Sequence, residues 1–483
     1  MGAHPAGPRH GEVNAPAGAP PVPIDLVELS DLDPVVWPAT AHRAGDDLHT
    51  GALVIGGLDV RDLASEFGTP LFVLDEADFR QRARAFKEAY ADDIAPADVY
   101  FAGKAFLSTT TARWIEEEGL NLDVCSGGEL AIALRAGFPA HRISFHGNNK
   151  LIPEMRAALD AGIGSFVIDS FEEIARLAHL AEEGEVRARV LVRVTVGVEA
   201  HTHEFIATAH EDQKFGLSLT SGDAQEAVRR ILKLPSLELV GLHSHIGSQI
   251  FDAAGFEVAA HRVVELAAAI RDEHDVVVDE LNLGGGMGIA YVSDDDPLNP
   301  ADMATALRSI VVRECAAYGL PTPRLAVEPG RAIVGPSMVT VYEVGTIKRI
   351  DLGHGHVRTY VSVDGGMSDN IRTSLYGADY TARVASRGLD PAAGLDTVRP
   401  MLTRIVGRHC ESGDVVVRDA WLPDDLAAGD LIAVAATGAY CRAMASSYNY
   451  MSRPPVVAVR DGRATLVLRR ETVDDLLALD VGI

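Results

Sequence analysis

From Val99 to Arg331 one pattern recurs: a short apolar, β-branched run that ends on a polar residue or glycine, then a stretch with apolar residues at three- and four-residue spacing. Such alternation builds βα units around a parallel sheet. The runs are VYFAGK, LNLDVCS, ISFHGN, FVIDS, VLVRVTV, LVGLHSHIGS, LNLGGG and LAVEPGR. Eight units are the number that closes a (β/α)8 TIM barrel. The intervening spacing predicts helices over Thr109 to Glu118, Phe171 to Glu182 and Phe256 to Asp272, with charged residues between the apolar ones.

After Arg331 the texture changes to strand-like runs broken by Gly, Asp and Pro: MVTVYEVGTIKRI, RTYVSVDGG, DVVVRDAWLP and DLIAVAATGAY. This predicts a mostly antiparallel β domain. Part of LVIGGLDVRDLASEFGTPLFVLD, which precedes the first barrel strand, is expected to pair with it. The expected division is a disordered tail over 1–47, a barrel over 72–336, and a β domain built from 48–71 and 337–483. The first residues are rich in Ala, Gly and Pro and lack the charged start and apolar core of a secretory signal. The connection from Gly197 to Gly216 is long, and such loops at a barrel mouth often serve function.

A chain of 483 residues accommodates a barrel plus a smaller domain. Its net charge of −26 disfavours nucleic acid and acidic membrane surfaces as partners. Charged residues interrupt every apolar run before bilayer length. Cys125, Cys315, Cys410 and Cys441 are far apart and form no CxxC pair, so a reducing cytoplasm is the simplest setting.

The polar residues at the strand ends are Lys104, Asp123, His146, Asp169, Arg193, His245, then Gly284, Gly285 and Gly286, and finally Glu328 with Arg331. In a barrel the C-terminal strand ends ring one mouth, where barrel enzymes build their sites. GGGMG after strand seven lets backbone N–H groups approach an anion, and EPGR adds a second turn and a cation. Barrels commonly bind phosphate at these two loops. Lys104 in FAGKAF is flanked by apolar and small residues that can desolvate it and favour the nucleophilic amine of a Schiff base. An isolated lysine would more often be a surface cap, but with a phosphate site it suggests pyridoxal phosphate. His245 and Glu328 are candidates to cover the ring and to face its nitrogen. The triplet His243–Ser244–His245 also permits a metal-dependent hydrolase. No complementary histidines follow at later strand ends, and that reading leaves Lys104 and the phosphate loops idle; no metal is expected.

The ordered motifs FAGKAF, DVCSGGEL, HGNNK, HSHIGSQ, LGGGMGI, EPGR, SDNIRTSLYG, HCESGD and ATGAYC resemble the diaminopimelate decarboxylases, from about Leu48 to the end. The resemblance implies an alanine-racemase-like fold type, a barrel followed by a β domain, working as a homodimer with sites at the subunit boundary. It implies a pyridoxal-phosphate-dependent carboxy-lyase that turns meso-2,6-diaminopimelate into L-lysine and CO2, the last step of lysine biosynthesis. Lys104 matches the lysine that holds the cofactor, His245 the residue stacked on its ring, and Glu328 the acid at the ring nitrogen. Ser248, Gly284, Gly285, Gly286, Gly330 and Arg331 fall where the family binds phosphate or neighbouring groups, and Asp123 is taken with the cofactor. Cys410, the expected proton donor, and Glu411 match a pair contributed by a neighbouring subunit. Tyr440 matches a residue near cofactor and substrate. Arg331, Arg372 and Tyr376 would hold the distal carboxylate and Glu411 the distal amine, where ornithine and arginine decarboxylases must bind a cation instead. A racemase would need an acid–base group on each side of the substrate carbon, whereas CESGD points to one donor. An inactive, partner-binding homologue is disfavoured because Lys104 and Cys410 are both present.

Overall fold

The βα pattern becomes a closed barrel in the computed structural model, which describes residues 21–23, 25, 27–45, 51–91, 97–197, 214–353, 356–389 and 397–482. Its strands are β1 (Ala97–Ala102), β2 (Asn121–Val124), β3 (Ile143–Phe145), β4 (Ser165–Ile168), β5 (Ala188–Thr195), β6 (Leu237–His243), β7 (Glu280–Asn282) and β8 (Arg324–Val327). Neighbours pair in parallel in that order, β4 pairs with β5, and β8 returns to β1. Strands covered on both faces read as near-continuous apolar runs, which is why all eight could be seen in the sequence. Leu122, Val124, Phe145, Ile168 and Val192 are accordingly buried.

Serines close three of the strand-to-helix turns. Ser108, Ser126 and Ser170 cap the helices Thr109–Glu117, Gly127–Ala136 and Phe171–Glu183, accepting from the backbone N–H of Thr111, Glu129 and Glu173. Each such cap contributes about 1 kcal/mol and fixes where the strand end stops and the helix begins. The third predicted helix spans Ala254–His274. Most of the long connection after β5, with His201, His203 and His210, lies outside the described residues.

Two units are distinguished. One comprises Arg80–Ile289 and Asp296–Ile333 and carries the barrel; the other comprises Met1–Phe79, Ala290–Asp295 and Val334–Ile483. The second is built on a mixed sheet in the order 415–423, 400–406, 356–363, 338–353, 71–75, 456–460 and 463–468. Strand 431–434 pairs with both 338–353 and 382–384. The pairing is mostly antiparallel; 356–363 with 400–406 and 71–75 with 456–460 run parallel. Leu71–Asp75 is antiparallel to Met338–Val341 on its other side. Residues 72–79, 290–295 and 334–336 therefore group with the β unit, not with the barrel as the expected boundaries had it.

The expected tail over 1–47 needs correction. Residues 1–20, 24, 26 and 46–47 lie outside the described residues, but Val27–Ser30 is a helical turn and His42–Arg43 pairs with Val54 and Leu53. Val36 and Trp37 are buried in the same core as Leu53, Ile55, Val73, Val341 and Val457. Arg43 donates to the carbonyls of Ser30 and Val384. A fully buried Val alone is worth roughly 1.5–3 kcal/mol, enough to order a Pro-rich segment of weak intrinsic preference. Among the described residues no helix is long and apolar enough to cross a membrane.

Candidate active site

The C-terminal ends of the barrel strands deliver the polar residues together. Lys104 sits in a single 3-10 turn, Gly103–Ala105, directly after β1. The turn buries Gly103 and Ala105 and leaves Lys104 exposed, so the flanking residues do not desolvate the amine as expected. Asp123 at the end of β2 is 1 % exposed, and its Oδ1 has no hydrogen-bond partner. Burial, reinforced by the charge of Glu328, pushes its carboxyl well above the ordinary range, against the pull of Lys104. Asp169 after β4 accepts from the Gly216 N–H at 2.7 Å and lies 3.7 Å from Arg193 of β5.

His245 follows β6, half-buried, and its Nδ1 accepts from the Gly285 N–H at 3.2 Å. That hydrogen bond assigns the proton to Nε2 when the ring is neutral. Burial, aided by Lys104 and Arg193, holds the imidazole well below its ordinary pKa. The glycine run owes its composition to close backbone approach. A Cβ on Gly285 would stand 2.3 Å from the Glu328 carbonyl oxygen, and Gly286 takes φ +107°, which side chains rarely adopt. Gly330 precedes Arg331, the first residue of the turn Arg331–Val334. Arg331 is 6 % exposed and donates from Nη2 to Ser248 Oγ at 2.8 Å.

Glu328, just past β8, is 5 % exposed. His243 Nε2 lies 3.0 Å from its Oε1, and His146 Nε2 lies 3.5 Å from the same oxygen. Burial alone would raise this carboxyl, yet His146 and His243 outweigh it and hold the group well below the carboxylate range. The metal reading of the histidine triplet thus finds its other donors in His146 and Glu328, all within 4.8 Å of one another. A hydrogen bond between His243 and the carboxylate already joins that set.

The remaining candidates belong to the β unit. Arg372 opens the helix Arg372–Tyr376, is 6 % exposed, and donates from Nη1 to the hydroxyls of Tyr291 and Tyr380, each at 2.7 Å. Its Nε is buried with no hydrogen-bond partner. Tyr376, at the end of this helix, and Tyr440, with φ +62°, are half-buried. Thr373 Oγ1 donates to the Val416 carbonyl at 2.7 Å and Ser374 Oγ to that of Gly413, tying the helix to the HCESGD loop. In that loop Cys410 is exposed and Glu411 half-buried, its Oε1 accepting from the Gly413 N–H at 3.2 Å. Asp414 anchors the loop, accepting from the N–H of His409 and of Met367.

Four partners escaped the sequence reading. Tyr291, five residues beyond Gly286, and Tyr380 clamp Arg372; Asn449 accepts from the Cys410 N–H at 3.0 Å; His243 touches the acid and not the ring residue. Lys150 of the HGNNK motif is 3 % exposed and buried against Glu173 at 2.5 Å, a structural pair.

An exposed amine, glycine turns beside a guanidinium, and a carboxylate kept ionised suit the attachment, the phosphate and the ring nitrogen of pyridoxal phosphate. These features define the class of pyridoxal-phosphate-dependent decarboxylases. The family profile described as "Pyridoxal-dependent decarboxylase, pyridoxal binding domain" matches residues 76–335. A diaminopimelate decarboxylase of Mycobacterium leprae (strain TN) is 56 % identical, with 100 % of both chains covered. One from Bacillus subtilis (strain 168) is 46 % identical over 91 % of this chain and 98 % of that one. The crystal structure of diaminopimelate decarboxylase from M. jannaschii in complex with L-lysine is similar at TM-score 0.82 and 31 % identity, covering 92 % of this chain and 98 % of the other. The chain belongs to the diaminopimelate decarboxylase family.

Proposed function

We propose that this chain removes CO2 from meso-2,6-diaminopimelate to give L-lysine, the last step of lysine biosynthesis, with pyridoxal phosphate held at Lys104. The observation that carries the reading is the full-length likeness, 56 % identity with no part of either chain left over. Bound pyridoxal phosphate supplies the electron sink for the pair left behind when CO2 departs.

The chain's residues supply the rest. Lys104 offers the amine that takes the aldehyde. Ser248, Gly284, Gly285, Gly286, Gly330 and Arg331 would hold the phosphate, Asp123 and Tyr440 would contribute to holding the cofactor, and His245 would serve its ring. Glu328, kept ionised, would favour a protonated ring nitrogen and so the cofactor's capacity as an electron sink. Arg331, Arg372 and Tyr376 take the distal carboxylate of the substrate, and Glu411 its distal ammonium. A guanidinium that is already desolvated discriminates strongly, because a ligand without a carboxylate leaves it unpaired. Cys410 Sγ delivers the proton that replaces CO2. The working unit is a cytoplasmic homodimer in which Cys410 and Glu411 of one copy serve the barrel of the other. The cofactor belongs to the barrel unit and the proton donor to the β unit.

Mixing purified protein, pyridoxal phosphate and meso-diaminopimelate, with chiral analysis of the amino acids, tests this reading. L-lysine and CO2 in equal amounts are the expected products. Cofactor uptake without lysine, or scrambling of the substrate's stereocentres without CO2, contradicts it.

A further inference from the structure

Two buried histidines at the barrel mouth have no part in the chemistry above. His146 follows β3 and His243 ends β6; they are 5 % and 1 % exposed, and their rings meet edge to face with centroids 5.1 Å apart. Both bring Nε2 towards one oxygen, Oε1 of Glu328: His243 hydrogen-bonds to it at 3.0 Å, while His146 stands 3.5 Å away without a hydrogen bond. A neutral imidazole carries a single N–H, so donation to this oxygen places the proton of His243 on Nε2 and leaves Nδ1 as a bare acceptor. His243 Nδ1 is indeed buried without a hydrogen-bond partner.

Glu328 is not the only buried acid there. Asp123 is 1 % exposed, and the charge of Glu328 adds to burial in disfavouring its ionisation, against the pull of Lys104. Two interacting buried carboxyls titrate as a pair, and whichever receives donors takes the charge. Asp123 has an oxygen with no partner, while Glu328 has a hydrogen bond to His243 at 3.0 Å and His146 Nε2, which makes no hydrogen bond, at 3.5 Å.

We propose that His146 and His243 are positioning residues that hold Glu328 through Oε1 and place on it, not on Asp123, the negative charge of the pair, leaving its other oxygen for the cofactor's ring nitrogen. This rests on the reading of Glu328 given above. Burial, with smaller contributions from Lys104 and Arg193, holds His146 well below its ordinary pKa, so it acts as a neutral dipole and not as a cation.

The test uses the full-length protein, stripped of and loaded with pyridoxal phosphate, with carbon-13 in the carboxyls of Asp and Glu. In the stripped parent protein the Glu328 signal should stay that of an ionised carboxylate below the pH at which a free glutamate protonates, while Asp123 stays protonated above the pH at which a free aspartate ionises. In His146→Phe/His243→Phe the order should invert. His243→Gln, which keeps an N–H donor near the position of Nε2, should restore the parent order and guards against a double variant that fails to fold. With cofactor, kcat should fall roughly tenfold or more in His243→Phe, as when outer hydrogen-bond partners of a functional group are removed, with KM within about threefold. An ionised Glu328 in the double variant, or Gln as damaging as Phe, overturns the proposal. Absence of cofactor uptake by the parent protein would sink the functional reading instead, since the carboxyl titration is read without cofactor.

Discussion

The barrel mouth and the HCESGD loop make an instructive contrast. At the mouth several candidate groups are buried and engaged with one another: Arg331 reaches Ser248, His245 receives the Gly285 N–H, and Glu328 pairs with His243, while Lys104 itself is exposed. In the loop, Cys410 is exposed and Glu411 is engaged only by its own turn. A phosphate and a ring need a rigid cradle that costs no reorganisation when the ligand arrives. A proton donor that a second copy brings up would remain open in a single chain. The contrast teaches that the groups proposed to cradle the phosphate and ring are largely enclosed within one chain, whereas the proposed proton donor Cys410, like the amine of Lys104, lies open.

Cys410→Ala sharpens that division most. Full cofactor retention with kcat reduced roughly 100- to 10,000-fold is expected, the range for loss of a positioned proton donor; spectrophotometric cofactor titration and steady-state kinetics read the two sides separately, and cofactor loss would break the contrast. Gly285→Ala should do the reverse. A methyl 2.3 Å from the Glu328 carbonyl oxygen must displace the turn, lowering unfolding stability by roughly 1–3 kcal/mol in denaturant melts and weakening cofactor binding. Unchanged stability and occupancy would show the turn to be loose.

Arg372→Lys retains a charge but loses the fork clamped between Tyr291 and Tyr380. It should lower kcat/KM for meso-diaminopimelate about 10- to 100-fold, the worth of one hydrogen bond to a charged group; kinetics equal to the parent's would remove Arg372 from the site. Smallest is Asn449→Ala, which deletes the acceptor for the Cys410 N–H. About a fivefold fall in kcat with unchanged cofactor affinity is expected, equivalent to about 1 kcal/mol.

The two regions also differed in how far the sequence revealed them. Barrel strands are apolar on both faces, and the serines and glycines that end them sit at fixed offsets, so their order and their polar ends could be read directly. Contacts made across the fold carry no local signature. Tyr291 lies 81 positions before Arg372, and Asn449 lies 39 after Cys410. The packing of Trp37 was equally hidden, since a Pro- and Ala-rich segment resembles a disordered one until the sheet that buries it is known. Lys104 was placed correctly by its strand but not by its environment, because a single turn can bury both neighbours of a residue and leave that residue outside.

The central claim is covalent, and one measurement reaches it directly. Purified protein saturated with pyridoxal phosphate is reduced with borohydride, digested and sequenced by mass spectrometry. A phosphopyridoxyl group on the Lys104 peptide, absent from Lys104→Ala, is the result expected. An unmodified Lys104 with cofactor in excess, or the label on another lysine, would contradict the account.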